Sequence, residues 1–303
     1  MRPGEALVSP TRLAADAADA LAVRGEFSGV LGHQFVGRVE AVDPSIGEPA
    51  ARRLIGKRVV GSAHVPCGVC ERCRSGLSLH CANAATLGLA GRDGCFAEAF
   101  TIPAANLVVV PDGMHDDRAV FAHTLGRVIH GARMLRVERK AYVSVLGDGP
   151  VALLAAQLMA RRNASVRLLG THAANLEICV KWGVKHRAQG DVGRRQDQDV
   201  VFDCTGSTES LELALALVRP RGAVVVMRAN APDATINGHL IMRDEVQVCG
   251  SRGSAVADAV AELASGSVDV LSLIARRMRF EEAPHAIAAA AEPGMLKILL
   301  DAA

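Results

Sequence analysis

Residues 142–152 read YVSVLGDGPVA, a short apolar run followed at once by a Gly-x-Gly-x-x-Ala turn. The run Tyr142–Leu146 predicts a buried β-strand, and the residues after the turn predict a helix. In that setting Gly147 and Gly149 permit a tight turn and the close approach of a pyrophosphate, while the small Ala152 keeps helix and strand close. The stretch therefore predicts a dinucleotide-binding turn, whose cofactor-contacting residues are Gly147, Gly149, Pro150, Val151 and Ala152.

Strands and helices alternate around this turn. The predicted strands are Tyr142–Leu146, Val166–Leu169, Val200–Phe202, Ala223–Val226 and Val246–Val248, and the predicted helices run from Val151 to about Arg162 and from about Ser207 to Val218. Such alternation indicates βαβ units around a buried parallel sheet. We therefore predict a Rossmann domain, a doubly wound parallel sheet, over residues 124–250.

The second strand of this predicted sheet is followed by Gly170, Thr171 and His172. A carboxylate at that point would bond the ribose 2′-hydroxyl of NAD. The sequence has none there, and Thr171 and His172 could donate to a 2′-phosphate. We therefore predict that NADP(H) is preferred over NAD(H), although the arginine usually found on a 2′-phosphate is missing unless Arg187 or Arg167 reaches it.

Residues 1 to about 112 follow a different pattern, in which short β-rich runs are broken by Gly and Pro. These runs are Phe35–Val42, Arg58–Gly61, Phe96–Phe100 and Leu107–Val110. The pattern predicts an irregular β-barrel or sandwich.

Half of the eight cysteines lie between residues 67 and 81, with the spacing Cys-x2-Cys-x2-Cys-x7-Cys. Four thiolates at this spacing can close a tetrahedron around Zn²⁺. A disulfide knot is the alternative, but the other cysteines are scattered singly through apolar stretches, as reduced core cysteines are. We predict a structural zinc lobe over 67–81, in which the zinc ligands are Cys67, Cys70, Cys73 and Cys81.

The composition limits the class of protein. The 303 residues are 50% hydrophobic and 22% charged, which is ordinary for a soluble globular chain. A net charge of +2 without a basic run gives no reason to expect nucleic acid or an anionic membrane as a partner. No apolar stretch approaches the roughly 20 residues of a membrane span, and no secretory signal is present at the start. We predict a cytoplasmic protein with a small-molecule partner.

A zinc lobe followed by a nucleotide-binding fold resembles the zinc-dependent medium-chain alcohol dehydrogenase/reductase superfamily. The likeness runs over nearly the whole chain. The segments that carry it are Val30–Gly37 with its Gly32-His33 pair, the cysteine lobe, Gly91–Glu98, Phe202–Ser207 and Leu296–Leu300.

This resemblance implies a GroES-like β-barrel catalytic domain formed by residues 1–123 and 251–303, and an α/β fold class overall. It also implies NAD(P)-dependent hydride transfer between a nicotinamide and an alcohol or carbonyl substrate held on a second, catalytic zinc. Contact of Thr205 with the cofactor and assembly as a homodimer or homotetramer are further implications of the resemblance.

The second zinc site is where the chain departs from the superfamily pattern. The usual ligands are a Cys, the His of a Gly-His-Glu segment, and a Cys or Glu that opens the connection into the Rossmann domain. His33 matches, whereas Asp16 stands at the first position and His123 at the third. Gln34 replaces the Glu beside the ligand His. We predict a re-ligated catalytic zinc held by Asp16, His33 and His123, with Gln34 beside it.

Two other interpretations remain open on the sequence. Loss of the catalytic metal would leave a zinc-free reductase of the same superfamily, or a non-catalytic NADPH-binding protein. Ala18 also lacks the hydroxyl that begins the superfamily's proton relay. The chain opens on what resembles the superfamily's second strand, so either the barrel has an open edge that is covered or paired, or this assignment of the start is wrong.

Overall fold

A computed structural model describes residues 1–135, 140–162, 165–193, 195–228 and 236–302. These residues form two compact units, Met1–His123 with Val256–Ala303, and Thr124–Ala255. The strands of the described residues are β1 (Glu5–Ala15), β2 (Phe35–Val42), β3 (Arg58–Gly61), β4 (His64–Val65), β5 (Ala85–Leu87), β6 (Gly91–Arg92), β7 (Phe100–Pro103), β8 (Leu107–Val109), β9 (Tyr142–Leu146), β10 (Ser165–Gly170), β11 (Lys185–Ala188), β12 (Gln198–Asp203), β13 (Val218–Val226), β14 (Gln247–Gly250), β15 (Ile274–Arg279) and β16 (Lys297–Asp301).

The helices are α1 (Ala17–Arg24), α2 (Glu48–Leu54), α3 (Glu71–Arg74), α4 (Asp116–Ala119), α5 (Ala122–Arg133), α6 (Pro150–Arg161), α7 (Ala173–Glu177), α8 (Thr208–Leu217), α9 (Gly238–Arg243), α10 (Val256–Ala264) and α11 (Ala283–Ala290). Short 3₁₀ turns lie at Pro44–Ile46, Ser78–His80, Ala104–Asn106, Ile178–Trp182, Gln189–Asp191, Leu271–Leu273 and Phe280–Glu282.

The first unit is built on a seven-stranded sheet in the order β15-β16-β1-β2-β3-β8, with β7 also paired to β1. Strand β1 pairs with β2 along one edge, and with β7 and then β16 along the other. The first strand of the chain is therefore not an edge strand. Apolar residues of both chain ends share one core, because Leu13 and Phe35 pack in the same cluster as Ile298.

Three of the four strand runs predicted in residues 1–112 are strands of this unit, the third being β8 at Leu107–Val109. The predicted runs at Phe35–Val42 and Arg58–Gly61 are β2 and β3. The predicted strand at Phe96–Phe100 is wrong, because the strand at this position is β7, which begins at Phe100. The backbone N–H of Phe96 instead donates to the carbonyl of Leu31, at 2.9 Å, and holds the preceding loop against the segment that leads to His33.

The second unit contains a six-stranded parallel sheet in the order β11-β10-β9-β12-β13-β14. Strand β9 is central, and the chain winds outward from it in both directions, so the doubly wound sheet is confirmed. The predicted strand runs correspond to β9, β10, β12, β13 and β14. Helix α6 follows β9 directly, which places the glycine turn at the carboxyl end of the central strands, next to the point where the winding reverses.

Candidate active site and metal sites

The four cysteines of the zinc lobe have their sulfur atoms within 4.8 Å of one another. The Cys67–Cys81, Cys70–Cys73 and Cys70–Cys81 sulfur atoms are 3.4, 3.5 and 3.8 Å apart. A tetrahedral zinc with Zn–S bonds of about 2.3 Å requires sulfur atoms about 3.8 Å apart. All eight cysteines lie in the described residues and are free thiols, so the disulfide alternative is not realised. The donor set and its spacing fit Zn²⁺.

Backbone N–H groups stabilise the thiolate form of two cysteines in this lobe. Hydrogen bonds from the N–H groups of Cys73 and Ala82 lower the pKa of Cys70 to about 6. The pKa of Cys67 is lowered by the N–H groups of Val69 and Cys70. Desolvation and the neighbouring Cys70 thiol raise the pKa of Cys73 to about 12. A bound dication would overcome the raised pKa of Cys73, because coordination deprotonates a thiol outright.

We expect Cys70→Ser to remove about one zinc ion per chain and to lower the melting temperature, because this short lobe depends on the metal for its folding energy. Cys249→Ser is the matched control, since Cys249 is a single half-buried cysteine of the other unit. Inductively coupled plasma mass spectrometry and thermal unfolding measure the two effects. A Cys70→Ser protein with wild-type zinc content and melting would contradict the zinc assignment.

Two carboxylates are fixed by the start of α1. Asp16 is the N-cap, and its Oδ1 accepts a 2.7 Å hydrogen bond from the N–H of Ala18. Asp19 completes a capping box, because its Oδ2 accepts from the N–H of Asp16 at 2.9 Å. One oxygen of each carboxylate is thus held by the helix start, and the other oxygen is left to face His33.

His33 lies between these two carboxylates. Its Nδ1 is 3.0 Å from Asp19 Oδ1, and its Nε2 is 3.6 Å from Asp16 Oδ2. Asp19 is fully buried, so its contact with Nδ1 fixes the ring and leaves Nε2 directed at Asp16. A carboxylate on the second nitrogen is the usual support of a metal-ligating histidine. Asp19 is a site residue that the sequence did not identify.

A buried lysine joins the cluster from the other end of the chain. Lys297, 2% exposed, donates from Nζ to Gln34 Oε1 at 2.9 Å, and Nζ is 3.8 Å from Asp16 Oδ2. That contact orients the Gln34 amide, whose Nε2 donates to Asp16 Oδ2 and lies 3.1 Å from His33 Nε2. Lys297 therefore holds Gln34 in place and offsets one of the two negative charges, that of partly exposed Asp16. The sequence did not identify Lys297 as a site residue either.

His123 is the second residue of α5 and lies beside His33. The two ring centroids are 5.2 Å apart with an interplanar angle of 82°. Among the described residues, the ligand-capable group found around His33 consists of Asp16, Asp19 and His33, with their atoms within 4.8 Å. His123 is not a member of that group. Asp19 contacts His33 Nδ1, so the side chain next to His33 that could act as a third ligand is the imidazole of His123.

The charges around His33 favour a cation. Burial alone would lower the pKa of His33, but the carboxylates of Asp19 and Asp16 raise it to about 10. The Gln34 side-chain amide group lies against His33 Nε2 and disfavours a proton on that nitrogen. The two carboxylates favour the protonated imidazole more strongly than one amide dipole disfavours it. Burial would likewise raise the pKa of Asp16, yet the charges of His33 and Lys297 hold it well below its usual range.

The predicted cofactor turn leaves its backbone uncovered at the start of α6. Gly147 has a φ of +104°, and a side chain there would lie 3.3 Å from Thr205 Cγ2. Gly149 is the N-cap of α6 and makes no side-chain cap hydrogen bond, and a Cβ added there would meet open space. The open backbone and the helix N-terminus suit an anion. Thr205 thus lies next to the turn, where the sequence predicted a cofactor contact.

The end of β10 was predicted to lack a carboxylate, but the side chain of Asp148 lies there. Asp148, inside the glycine turn, accepts at Oδ2 from the N–H groups of Thr171 and His172, at 2.6 and 2.7 Å. A Cβ on Gly170 would be 2.5 Å from that oxygen. A carboxylate therefore does lie at the end of β10, supplied by the turn. The sequence interpretation counted no carboxylate here, because position in the chain alone does not show which side chain reaches this point.

None of the helices in the described part of the chain combines the length and the apolar character that crossing a bilayer requires.

Comparisons with known proteins agree with this architecture. The family model of the alcohol dehydrogenase GroES-like domain matches residues 2–112. An L-threonine 3-dehydrogenase from Photorhabdus laumondii subsp. laumondii is 26% identical over 267 residues, which cover 84% of this chain and 76% of that protein. The alcohol dehydrogenase TADH from Thermus sp. ATN1 superimposes with a TM-score of 0.87 at 27% identity, covering 99% and 93% of the two chains. A candidate zinc-binding dehydrogenase from Sinorhizobium meliloti 1021, solved with NADP, gives a TM-score of 0.89 at 25% identity over 99% and 93%.

A GroES-like unit with a four-cysteine lobe, joined in one chain to a doubly wound parallel sheet, defines a dehydrogenase of the GroES-like and Rossmann class. The family model, the relatives and the solved structures support the zinc-dependent medium-chain alcohol dehydrogenase/reductase superfamily and NAD(P)-dependent oxidoreduction. The chain's relatives are dehydrogenases, which favours the leading prediction over a zinc-free reductase or a non-catalytic binding protein.

Proposed function

We propose that the chain catalyses reversible NAD(P)-dependent oxidation of a small alcohol, on a zinc ion held by Asp16, His33 and His123. The observation that carries this proposal is the 3.6 Å separation of Asp16 Oδ2 and His33 Nε2. Two ligands of a tetrahedral zinc with bonds of about 2.1 Å are about 3.4 Å apart. The spacing of these two atoms therefore suits neighbouring ligands of one ion, with His123 as the third.

The metal, when bound, would act as a Lewis acid that favours loss of the alcohol proton and polarises the carbonyl in the reverse direction. The protein's own residues prepare for this. Asp19 holds His33 in the tautomer that leaves Nε2 for coordination. Lys297 lies 3.8 Å from Asp16 Oδ2 and offsets one of the two carboxylate charges, so a dication with Asp16, Asp19 and two neutral imidazoles would leave the group one positive charge in excess. That excess favours an anionic oxygen in the open position.

The second unit would supply the cofactor. The turn at Gly147, Gly149 and Ala152 with the start of α6 would hold the pyrophosphate, and Thr205 would bound the same pocket. The nicotinamide, when bound, would accept a hydride from the alcohol carbon, and the hydroxyl proton would leave separately. The four-cysteine site has every coordination position filled by sulfur, so we assign it a structural role.

The substrate class follows from the family and not from a mapped pocket. L-Threonine 3-dehydrogenase oxidises a secondary alcohol, as its name states, so secondary alcohols are the first class to test. Assembly as a homodimer or homotetramer and a cytoplasmic location remain predictions from the sequence.

We expect purified protein to reduce NAD⁺ or NADP⁺ with at least one member of a panel of small secondary alcohols that includes L-threonine. Prolonged chelation should remove this activity, and added Zn²⁺ should restore it. Because His33 has a pKa of about 10 without metal, zinc must displace its proton. The apparent zinc affinity should therefore fall about tenfold per pH unit between pH 8 and 6 for each displaced proton. Reduced nicotinamide absorbance follows the reaction, and activity unchanged by full metal removal would contradict the zinc-assisted mechanism.

A further inference from the structure

We propose that Asp148 supplies the carboxylate that recognises the adenosine ribose of the cofactor, and that it thereby favours NAD(H) over NADP(H). The inference rests on the proposed function, since it requires a nicotinamide dinucleotide at the turn between β9 and α6. It assigns the choice of cofactor to a residue of the glycine turn and not to a residue that follows β10.

The first observation is spatial. In dinucleotide-binding sheets the ribose is recognised by an acidic side chain at the end of the strand next to the central one. Here that strand is β10, and it ends in Gly170. A Cβ built on Gly170 would lie 2.5 Å from Asp148 Oδ2 and 2.6 Å from Asp148 Cβ. The Asp148 side chain therefore occupies the room into which a strand-end side chain would project.

The second observation is how firmly Asp148 is held. Its residue is 6% exposed, and Oδ2 accepts from two successive backbone N–H groups, those of Thr171 and His172. Its own carbonyl accepts from Asn175 Nδ2 at 3.1 Å. Charge-assisted bonds from backbone N–H groups stabilise an ionised carboxylate in a fixed position. A fixed negative charge thus lies at the end of β10 before any cofactor binds.

The third observation is the remaining hydrogen-bonding capacity. Asp148 Oδ1 is 3.0 Å from Nδ1 of His172, whose ring is 37% exposed. An ionised carboxylate has about four acceptor positions, and the two N–H groups with the imidazole use three of them. One acceptor position on Oδ1 is left for a ribose hydroxyl, which can donate. A 2′-phosphate has no comparable donor and carries negative charge, so the same oxygen would repel it.

Two cationic side chains nearby do not reverse this balance. Arg167, one of the two candidates for a phosphate ligand, donates from Nη2 to Ser144 Oγ at 3.1 Å, inside the sheet. His172 directs Nδ1 at Asp148, so any positive charge on its ring is shared with that carboxylate. The local field at the end of β10 therefore suits a neutral diol better than a phosphate.

The test is calorimetric titration of NADH and NADPH into the zinc-loaded protein. We expect wild type to bind NADH at least about tenfold more tightly, since a single unfavourable charge contact of about 1.4 kcal/mol has that effect. Asp148→Asn keeps an acceptor oxygen for the two N–H groups and removes the charge, so NADPH should bind about tenfold more tightly than to wild type while NADH weakens. Thermal unfolding checks that the variant is folded.

A relocation variant serves as the positive control. Asp148→Gly combined with Gly170→Asp moves the carboxylate to the end of β10, and the loss of the Asp148 Cβ, which would lie 2.6 Å from the new Cβ, makes room for it. This double variant should recover the preference for NADH, whereas Asp148→Gly alone should not. Wild-type binding of NADPH as tight as or tighter than NADH would overturn the inference and leave the proposed function intact. Binding of neither nucleotide would overturn the proposed function itself.

Discussion

His33→Asn is expected to lower kcat/KM by at least about a thousandfold, because it removes a ligand of the metal that would stabilise developing charge on the substrate oxygen. The asparagine amide can still donate toward Asp19 Oδ1, which lies 3.0 Å from His33 Nδ1 in the wild type. Fully buried Asp19 thus keeps a hydrogen-bonding partner, and the fold should survive.

Three measurements separate loss of catalysis from loss of structure. The variant should contain about one zinc per chain fewer than wild type, bind NADH with unchanged affinity, and keep its far-UV circular dichroism. His239→Ala is the matched control, because His239 is an exposed histidine of the other unit. A His33→Asn enzyme with kcat/KM within about threefold of wild type would contradict a catalytic role for this site.

Lys297→Met should lower the free energy of unfolding of the metal-free protein by about 3–5 kcal/mol, the usual effect of removing one partner from a buried charge pair. Met fills similar volume but cannot donate to Gln34 Oε1 or offset the charge of Asp16. Lys57→Met is the control, since Lys57 is exposed and a surface change of this kind is within about 0.5 kcal/mol of neutral.

We expect Lys297→Met to destabilise the zinc-loaded protein less than the metal-free protein. Lys297 and a zinc ion would both place positive charge next to Asp16 Oδ2, so removing the lysine should strengthen zinc binding. Zinc then stabilises the variant more than wild type, and the loss measured by urea unfolding should be smaller with zinc than without it. An equal loss in both states would show that the ion does not bind beside Asp16.

The sequence predicted local features well. Strand β9 and its glycine turn, the positions of β2 and β3, and the four-cysteine spacing all depend on residues close in the chain. The error at Phe96–Phe100 has a physical cause, because the alternation of apolar residues there reflects a loop whose N–H groups bond to the Val30–Gly32 backbone. Strand propensity does not distinguish such a loop from a ladder.

The residues that the sequence missed are those whose roles depend on distant contacts. Lys297 meets Gln34 across 263 positions of sequence, and no local pattern marks it as buried. Asp148 looked like the variable residue of a glycine motif, although its carboxylate reaches the end of β10. Asp19 had a local signal, since the Asp16-x-x-Asp19 spacing at a helix start is that of a capping box.

The central claim is that Asp16, His33 and His123 hold a second metal ion. The most direct test is a crystal structure of the zinc-loaded protein with data on both sides of the zinc absorption edge. We predict two anomalous peaks per chain, one among the four cysteines and one about 2.0–2.2 Å from Asp16 Oδ2, His33 Nε2 and a His123 ring nitrogen. A single peak at the cysteines, with Asp16 still bonded to Gln34 and Lys297, would contradict it.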